Sequence, residues 1–343
     1  PALRLGTEFM PTLNEGTLFY MPTSLPGMSV TKAAELLQTQ DKIIRSFPEV
    51  VSVFGKAGRA NTATDPAPTE MFETVINLRP QEEWRPGMTT DKLIAEMDRA
   101  LQFPGVANSW TMPIKARIDM LSTGIRTPIG IKVFGKDLAE MEVLAKQIEA
   151  VVKTVPGTTS AYAERITGGY YLDIEPDRLA LARYGLAVGD LLDVVAVAIG
   201  GEMVTSMVAG RERFAVSVRY PRDLRSDPQA IASQVLVPVG GDMGGGPTMV
   251  PLGQLARVKL LKGPPAIRTE NALLSAYIFV DIRERDIGSY VAAAQKAVNE
   301  QVKFPPGYYI TWSGQFEYMQ RAIEKLKVVV PLTVLIVFVL LYL

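Results

Sequence analysis

Four stretches of the chain place apolar residues at helical spacing, and each ends in an apolar residue followed by proline. The helical periodicity covers approximately residues 29–46, 90–102, 137–154 and 288–302. The stops that follow these stretches read Phe47-Pro48, Phe103-Pro104, Val155-Pro156 and Phe304-Pro305. Proline cannot continue a helix and commonly follows its end. The pattern therefore predicts four amphipathic helices.

Segments of a different kind lie between these helices. They are rich in β-branched and aromatic residues and partly alternate between apolar and polar positions, as strands do. The predicted strands are Thr17–Met21, Val50–Phe54, Phe72–Leu78, Ile129–Phe134, Tyr277–Asp281 and Tyr308–Trp312. A strand–helix–strand unit given twice makes a split βαβ domain of ferredoxin-like type. The sequence thus predicts an α+β fold with two such domains.

The prolines at the helix stops are unevenly spaced. Pro48, Pro104 and Pro156 lie 56 and 52 residues apart, whereas Pro306 lies 150 residues beyond Pro156. The excess falls between residues 166 and 270, and we interpret this stretch as an inserted, mainly β domain. Its glycine run, Gly240–Gly246, is interpreted as the tip of a hairpin. Repeats at this period also occur in solenoids, but the unequal last spacing argues against that architecture.

The end of the chain carries an uncharged apolar run, Val328–Leu343. It falls short of the roughly 20 residues that span a bilayer, so we expect the first part of a truncated transmembrane helix. A buried core helix is the alternative. The N-terminal residues show no signal-peptide pattern. We therefore expect a segment that lies between two membrane spans.

Composition excludes several classes of function. Lys and Arg together number 36, as do Asp and Glu, so the basic excess of a nucleic-acid-binding protein is missing. The sequence contains no His and no Cys, which excludes thiolate and imidazole chemistry and most hydrolase mechanisms. The glycine run lacks the Lys-Ser/Thr of a phosphate-binding loop. We do not expect an enzyme.

The 14 methionines are the remaining soft donors. Most methionines fill irregular gaps in cores. Because thioethers select soft ions, a transition metal bound by this chain should be monovalent, such as Cu(I) or Ag(I).

Several short motifs along the chain carry a family resemblance. Among them are Leu18-Phe19-Tyr20-Met21-Pro22, Trp84-Arg85-Pro86-Gly87-Met88-Thr89, Arg117-Ile118-Asp119-Met120-Leu121-Ser122-Thr123-Gly124-Ile125 and Ser313-Gly314-Gln315-Phe316-Glu317. With these motifs the chain resembles, essentially end to end, the heavy-metal efflux branch of the resistance–nodulation–division (RND) superfamily, in its copper- and silver-exporting form.

The resemblance implies a proton-driven antiporter of the bacterial inner membrane. Such a pump is a homotrimer that works with a membrane-fusion adaptor protein and an outer-membrane channel. The chain then corresponds to the second periplasmic loop. Its implied parts are a first porter subdomain at 1–123, a second at 124–165 with 271–318, a docking subdomain at 166–270, and the start of a transmembrane helix at 319–343.

The resemblance also implies a metal site in the cleft between the porter subdomains. The matching ligands are Met21, Met71 and Met120. Charged cleft residues associated with transport match Glu15, Asp65, Glu73, Arg117 and Arg126. Arg126 departs from the lysine of the family, so a planar guanidinium replaces a point charge.

Three alternatives remain. A divalent exporter for zinc, cobalt or cadmium would use carboxylate and His ligands, and the absence of His counts against it. An assembly module would dock to its partners without a metal site of its own. A metal-dependent enzyme is the most distant alternative, because the acid–base groups are missing.

Overall fold

The computed structural model describes residues 13–58, 67–240, 246–283 and 285–343. The chain divides into two compact units. The larger unit comprises Pro1–Gly169 and Pro264–Leu343, and the smaller unit comprises Tyr170–Gly263. The subdomain limits given above stay a prediction.

Helices and strands alternate along the described residues. The strands are β1 Thr17–Tyr20, β2 Thr23–Ser24, β3 Val50–Ala57, β4 Phe72–Leu78, β5 Val106–Ala107, β6 Trp110–Thr111, β7 Ile129–Gly135, β8 Thr158–Ala163, β9 Gly169–Pro176, β10 Glu202–Ala209, β11 Glu212–Val218, β12 Leu236–Val239, β13 Thr248–Pro251, β14 Ala256–Gly263, β15 Arg268–Glu270, β16 Leu273–Ile282 and β17 Tyr309–Gly314. The α-helices are α1 Val30–Arg45, α2 Thr90–Ala100, α3 Pro113–Thr123, α4 Leu138–Lys153, α5 Arg178–Arg183, α6 Val188–Val195, α7 Pro228–Gln234, α8 Ile287–Gln301 and α9 Gln315–Tyr342.

The four predicted helices are confirmed as α1, α2, α4 and α8, each within a few residues of its predicted limits. All four begin at a capping residue whose side chain accepts a hydrogen bond from a backbone N–H of the first turn. These residues are Ser29, Thr89, Asp137 and Asp286. Such caps satisfy donors that the helix itself leaves unpaired. Local sequence therefore sets both ends of each helix.

The first sheet of the larger unit is antiparallel, with the strand order β3-β4-β1-β6. This order, with α1 after the first strand and α2 after the third, is that of a ferredoxin-like split βαβ domain. Leu18, Tyr20 and Ile76 on one sheet face join Ile44 of α1 and Met97 of α2 in a buried core.

The second sheet of the larger unit repeats this arrangement. It runs β17-β7-β16, and both β8 and the short β15 pair with β16. The core between this sheet and its helices includes Ile131 of β7, Ile148 of α4 and Val291 of α8. The α+β fold with two ferredoxin-like sheets is confirmed.

The described part of the smaller unit contains three strand pairs, β9 with β14, β10 with β11 and β12 with β13. It also contains α5, α6 and α7, where the sequence pattern indicated only turns and short strands. These helices are six to eight residues long, too short for a periodic pattern to emerge. Of the glycine run predicted as a hairpin tip, residues 241–245 lie outside the described residues.

The C-terminal helix α9 begins at Gln315, and its apolar segment has a mean hydropathy of 2.2 with none of that segment buried. Every residue from 328 to 343 is exposed. The predicted apolar helix is confirmed, and the alternative of a buried core helix is wrong for this chain.

Candidate metal site

Three different elements carry the candidate ligands. Met21 directly follows β1, where its backbone N–H donates to the carbonyl oxygen of Ser109 at 2.9 Å, and it is buried. Met71 directly precedes β4 and forms an isolated β-bridge with Thr23. Met120 lies in α3, a helix that starts with Pro113 and ends at Gly124 in the left-handed conformation.

The structure brings the three methionines into one apolar cluster. Met21 is buried there with Phe19 and Ala116, and Met71, Val75 and Met120 pack against them. Strand alternation explains the grouping, because Phe19 and Val75 are paired across β1 and β4 and their side chains share one face. The opposite face carries Leu18, Tyr20 and Ile76, which form the helix-covered core. Ala116 and Met120 are four residues apart and share one side of α3.

A cavity of about 570 Å³ in the larger unit adjoins this cluster. Met71 and Met120 line it, whereas Met21 belongs to the cluster but not to the lining of the cavity. Its charged lining residues are Lys56, Arg117, Arg126, Arg165, Arg268, Glu70, Glu73 and Glu164. Two of the three methionines therefore line the cavity, and the third belongs to the same packed cluster.

Of the four predicted charged residues that the structure describes, three line the cavity. Glu73 pairs with Lys56, with 3.2 Å between the carboxylate oxygen and Nζ. Arg117 is exposed on α3, one turn before Met120. Arg126 is buried, unlike the other two.

Of the remaining two predicted charged residues, the structure describes only Glu15, which does not join this group. Glu15 is exposed before β1, so the length of that strand separates it from Met21. It does not line the cavity. Asp65 lies outside the described residues.

Arg126 makes an unusual set of contacts. Its Nη2 donates a hydrogen bond to the hydroxyl of Thr23, and its Cζ lies 4.1 Å from the ring centroid of Phe279. Its Nε is buried and has no hydrogen-bond partner among the described residues. Burial lowers the pKa of the guanidinium, while the charges of Glu164 and Tyr162 act in the opposite direction. Thr23 also forms the β-bridge with Met71, so its hydrogen bond with Arg126 holds the arginine close to that methionine.

The sequence analysis did not predict that residues of the second sheet line the cavity. Tyr162 of β8 and Phe279 of β16 are cross-strand neighbours and both line the cavity, as do Glu164 and Arg268. The sequence did contain a sign of this second covered face, because the strand around Tyr277 carries apolar residues on both of its faces. Such a strand is covered on both sides.

The chemistry open to the site follows from its donors. Among the described residues, no group of three or more Asp and Glu side chains could hold a metal ion, and the sequence offers no His or Cys. The thioether sulfurs of the cluster are neutral, soft donors. A donor set of this kind suits a soft monovalent ion better than Zn²⁺ or Ca²⁺.

Residues 2–343 match the AcrB/AcrD/AcrF family. The chain belongs to this family. Among curated relatives, it is 50% identical over its whole length to the "Putative cation efflux system protein SilA" of Salmonella typhimurium. It is 49% identical, also over its whole length, to the "Cation efflux system protein CusA" of Escherichia coli (strain K12). The resemblance inferred from the motifs is confirmed.

More distant family members give lower identity. The "Cobalt-zinc-cadmium resistance protein CzcA" of Cupriavidus metallidurans is 35% identical over 99% of this chain. A crystal structure of a heavy metal efflux pump superposes with a TM-score of 0.90 at 28% identity, covering 99% of this chain and 35% of that one. The chain spans 32% of the length of these curated relatives, about a third of each.

Proposed function

We propose that this chain is a periplasmic part of a proton-driven RND efflux pump for Cu(I) or Ag(I), a membrane transporter rather than an enzyme. The supporting observation is the packing of Met21, Met71 and Met120, from three separate elements, into one cluster beside a cavity. In this proposal their sulfurs bind the metal as the transported substrate.

The proposal extends to the surroundings of the site. The two ferredoxin-like sheets are the porter subdomains, with limits at 1–123 and at 124–165 with 271–318. The stretch 166–270 is the docking subdomain, and 319–343 begins a transmembrane helix of the inner membrane. In the whole pump, three copies assemble and engage a membrane-fusion adaptor and an outer-membrane channel. Similarity to relatives described as cation efflux proteins supports this assignment.

Charge decides between monovalent and divalent substrates. Three thioethers bring no negative charge to a bound ion, so a divalent ion would keep its full double charge beside a lining in which four arginines and one lysine outnumber three glutamates. Repulsion at short range in a partly buried site amounts to several kcal/mol. The donor set and the wall therefore both favour a monovalent ion.

Metal titration of the whole chain in detergent tests this function. Under anaerobic conditions, with a chromophoric chelator as competitor, we expect one Cu(I) bound per chain, and little Zn(II) under the same conditions. Binding should depend weakly on pH, because thioethers need no deprotonation. A chain that binds Zn(II) as tightly as Cu(I) would support the divalent alternative, and one that binds neither would support an assembly module.

A further inference from the structure

The three candidate ligands differ in how far solvent reaches them. Met71 and Met120 line the cavity of about 570 Å³ and are partly exposed. Met21 is only 1% exposed and does not line it. One water molecule needs about 10–15 Å³ of such a cavity, so there is room for a solute of similar size beside the two partly exposed methionines. Small solutes therefore have access to Met71 and Met120 but not to Met21.

A methionine that small solutes reach is open to one reversible modification, oxidation to the sulfoxide. With hydrogen peroxide, the O–O bond breaks, an S–O bond forms, and the other oxygen leaves as water with both hydrogens. The sulfur loses two electrons and the peroxide gains them. Methionine sulfoxide reductases reverse this step, with one enzyme for each epimer of the sulfoxide. In the reversal the oxygen leaves as water while a dithiol is oxidised to a disulfide.

Met120 also has surroundings that suit the modified side chain. A sulfoxide oxygen accepts hydrogen bonds, and Arg117, one helical turn before Met120, lines the same cavity. A guanidinium carries donors only, so it can donate to this oxygen. Met21 instead packs with Phe19 and Ala116, whose side chains offer no donor. Burying a polar oxygen without a partner is unfavourable. Access and local chemistry therefore both set Met21 apart from the cavity-lining methionines.

Oxidation removes the property that suits these methionines to a soft metal ion. A thioether offers a soft, neutral sulfur, whereas a sulfoxide offers a hard oxygen in its place, and soft monovalent ions prefer sulfur. The reverse also holds, because a metal bound to the sulfur withdraws the electron density that attacks peroxide. Metal binding and oxidation therefore oppose each other at the same atom.

We propose that Met71 and Met120 are sites of reversible oxidation by peroxide, and that their sulfoxides switch off metal binding by the cluster they form with Met21. This inference rests on the proposed function, because the reduced cluster must bind the soft ion for the switch to act. Met21 stays reduced, so the modification is confined to the two cavity-lining ligands. The fold stays intact, because both oxidised side chains are partly exposed and belong to neither of the two sheet cores.

Peptide mass spectrometry of the whole chain in detergent, after a limited dose of hydrogen peroxide, tests where oxygen is added. We expect oxidation of Met71 and Met120 but not of Met21 or of Met97, which is 0% exposed. Saturating Ag(I), which peroxide does not oxidise, should protect Met71 and Met120. It should not protect Met207, which is 55% exposed in the smaller unit. Reduced Met71 and Met120 beside oxidised Met207 would overturn the proposal. Oxidation of Met97 at the same dose would overturn it too, because the chain would then have unfolded.

Ag(I) affinity of the reduced, oxidised and re-reduced chain tests the consequence for the metal. The reduced chain should bind Ag(I), and the oxidised chain should lose this binding. Treatment with both sulfoxide reductases and a dithiol, removed before titration, should restore it. Met207→Leu is the control and should follow the wild type in all three states. An oxidised chain that binds Ag(I) like the reduced one would overturn the switch and leave the proposed function intact. A reduced chain that binds no Ag(I) would contradict the proposed function and the switch with it.

Discussion

Gln315 donates a hydrogen bond from its Nε2 to Oδ2 of Asp119, 3.3 Å away. Asp119 is buried on α3, next to Met120, and also accepts from Lys115 Nζ at 2.8 Å. Gln315 is the first residue of α9. This contact therefore joins the helix that carries a candidate ligand to the helix that continues as the exposed apolar run.

Removing the Asp119 carboxylate should weaken the fold. Asp119→Ala leaves the partly buried Lys115 without its counter-charge and Gln315 without its acceptor. Breaking a buried ion pair costs about 3–5 kcal/mol, and we expect the lower end because Lys115 keeps some exposure. Urea unfolding of the chain in detergent measures the loss. Asp119→Asn retains an acceptor for Gln315 and should lose less, so equal losses in the two variants would contradict the role of this hydrogen bond.

Asp281 should make stability fall as the pH rises. Burial raises the pKa of this carboxyl from its usual 3.8 to about 6, against hydrogen bonds from Ser109 and Ser160 and the charge of Arg126. The native state therefore binds more protons than the unfolded chain between these values, so the contribution of Asp281 is most favourable below about pH 4 and declines up to about pH 6.

Asp281→Asn removes this dependence, because the amide does not ionise. Relative to the wild type, the variant should gain up to about 3 kcal/mol in free energy of unfolding between pH 4 and pH 7. Unfolding at a series of pH values measures the difference, and the other titrating groups are common to both proteins. Parallel pH profiles would show that Asp281 ionises normally in the folded chain.

Deleting residues 328–343 should leave the folded body intact. These residues are exposed, and a large exposed apolar surface promotes association rather than folding. We expect improved solubility without detergent and an unchanged unfolding transition. Phe316→Ala is the control, because Phe316 is buried in the core beneath the second sheet and its truncation should cost about 3–5 kcal/mol. Loss of cooperative unfolding in the deletion variant would mean that the apolar run contributes to the core.

Local sequence predicted the repeated part of the fold well. In α1, α2, α4 and α8 the apolar stripe, the capping residue and the following proline agree. The helices of the smaller unit were not predicted, because each of them is only about two turns long and shows too little helical periodicity. Helix α3 was also missed, because its apolar pattern is weak and Pro113 resembles a turn residue as much as a first helical residue.

The candidate site was only partly predictable. Family resemblance selected Met21, Met71 and Met120, but their convergence depends on the pairing of β1 with β4 and on α3 lying over the same sheet face. Glu15 is only six residues before Met21 in the sequence, but β1 lies between the two residues and places them at its opposite ends. The inward position of Arg126 had no signal in the sequence, since a charged residue is ordinarily expected at the surface.

The central claim is that these methionines bind the metal, and Cu(I) affinity of single Met→Ile variants tests it most directly. Isoleucine keeps volume and apolarity, so stability should change by less than about 1.5 kcal/mol. Met97→Ile is the matched control, because Met97 is fully buried in the core between α2 and the first sheet. We predict that Met21→Ile, Met71→Ile and Met120→Ile each lose Cu(I) binding while Met97→Ile binds like the wild type. Wild-type Cu(I) affinity in all three variants would contradict the site and return the methionines to the role of core side chains.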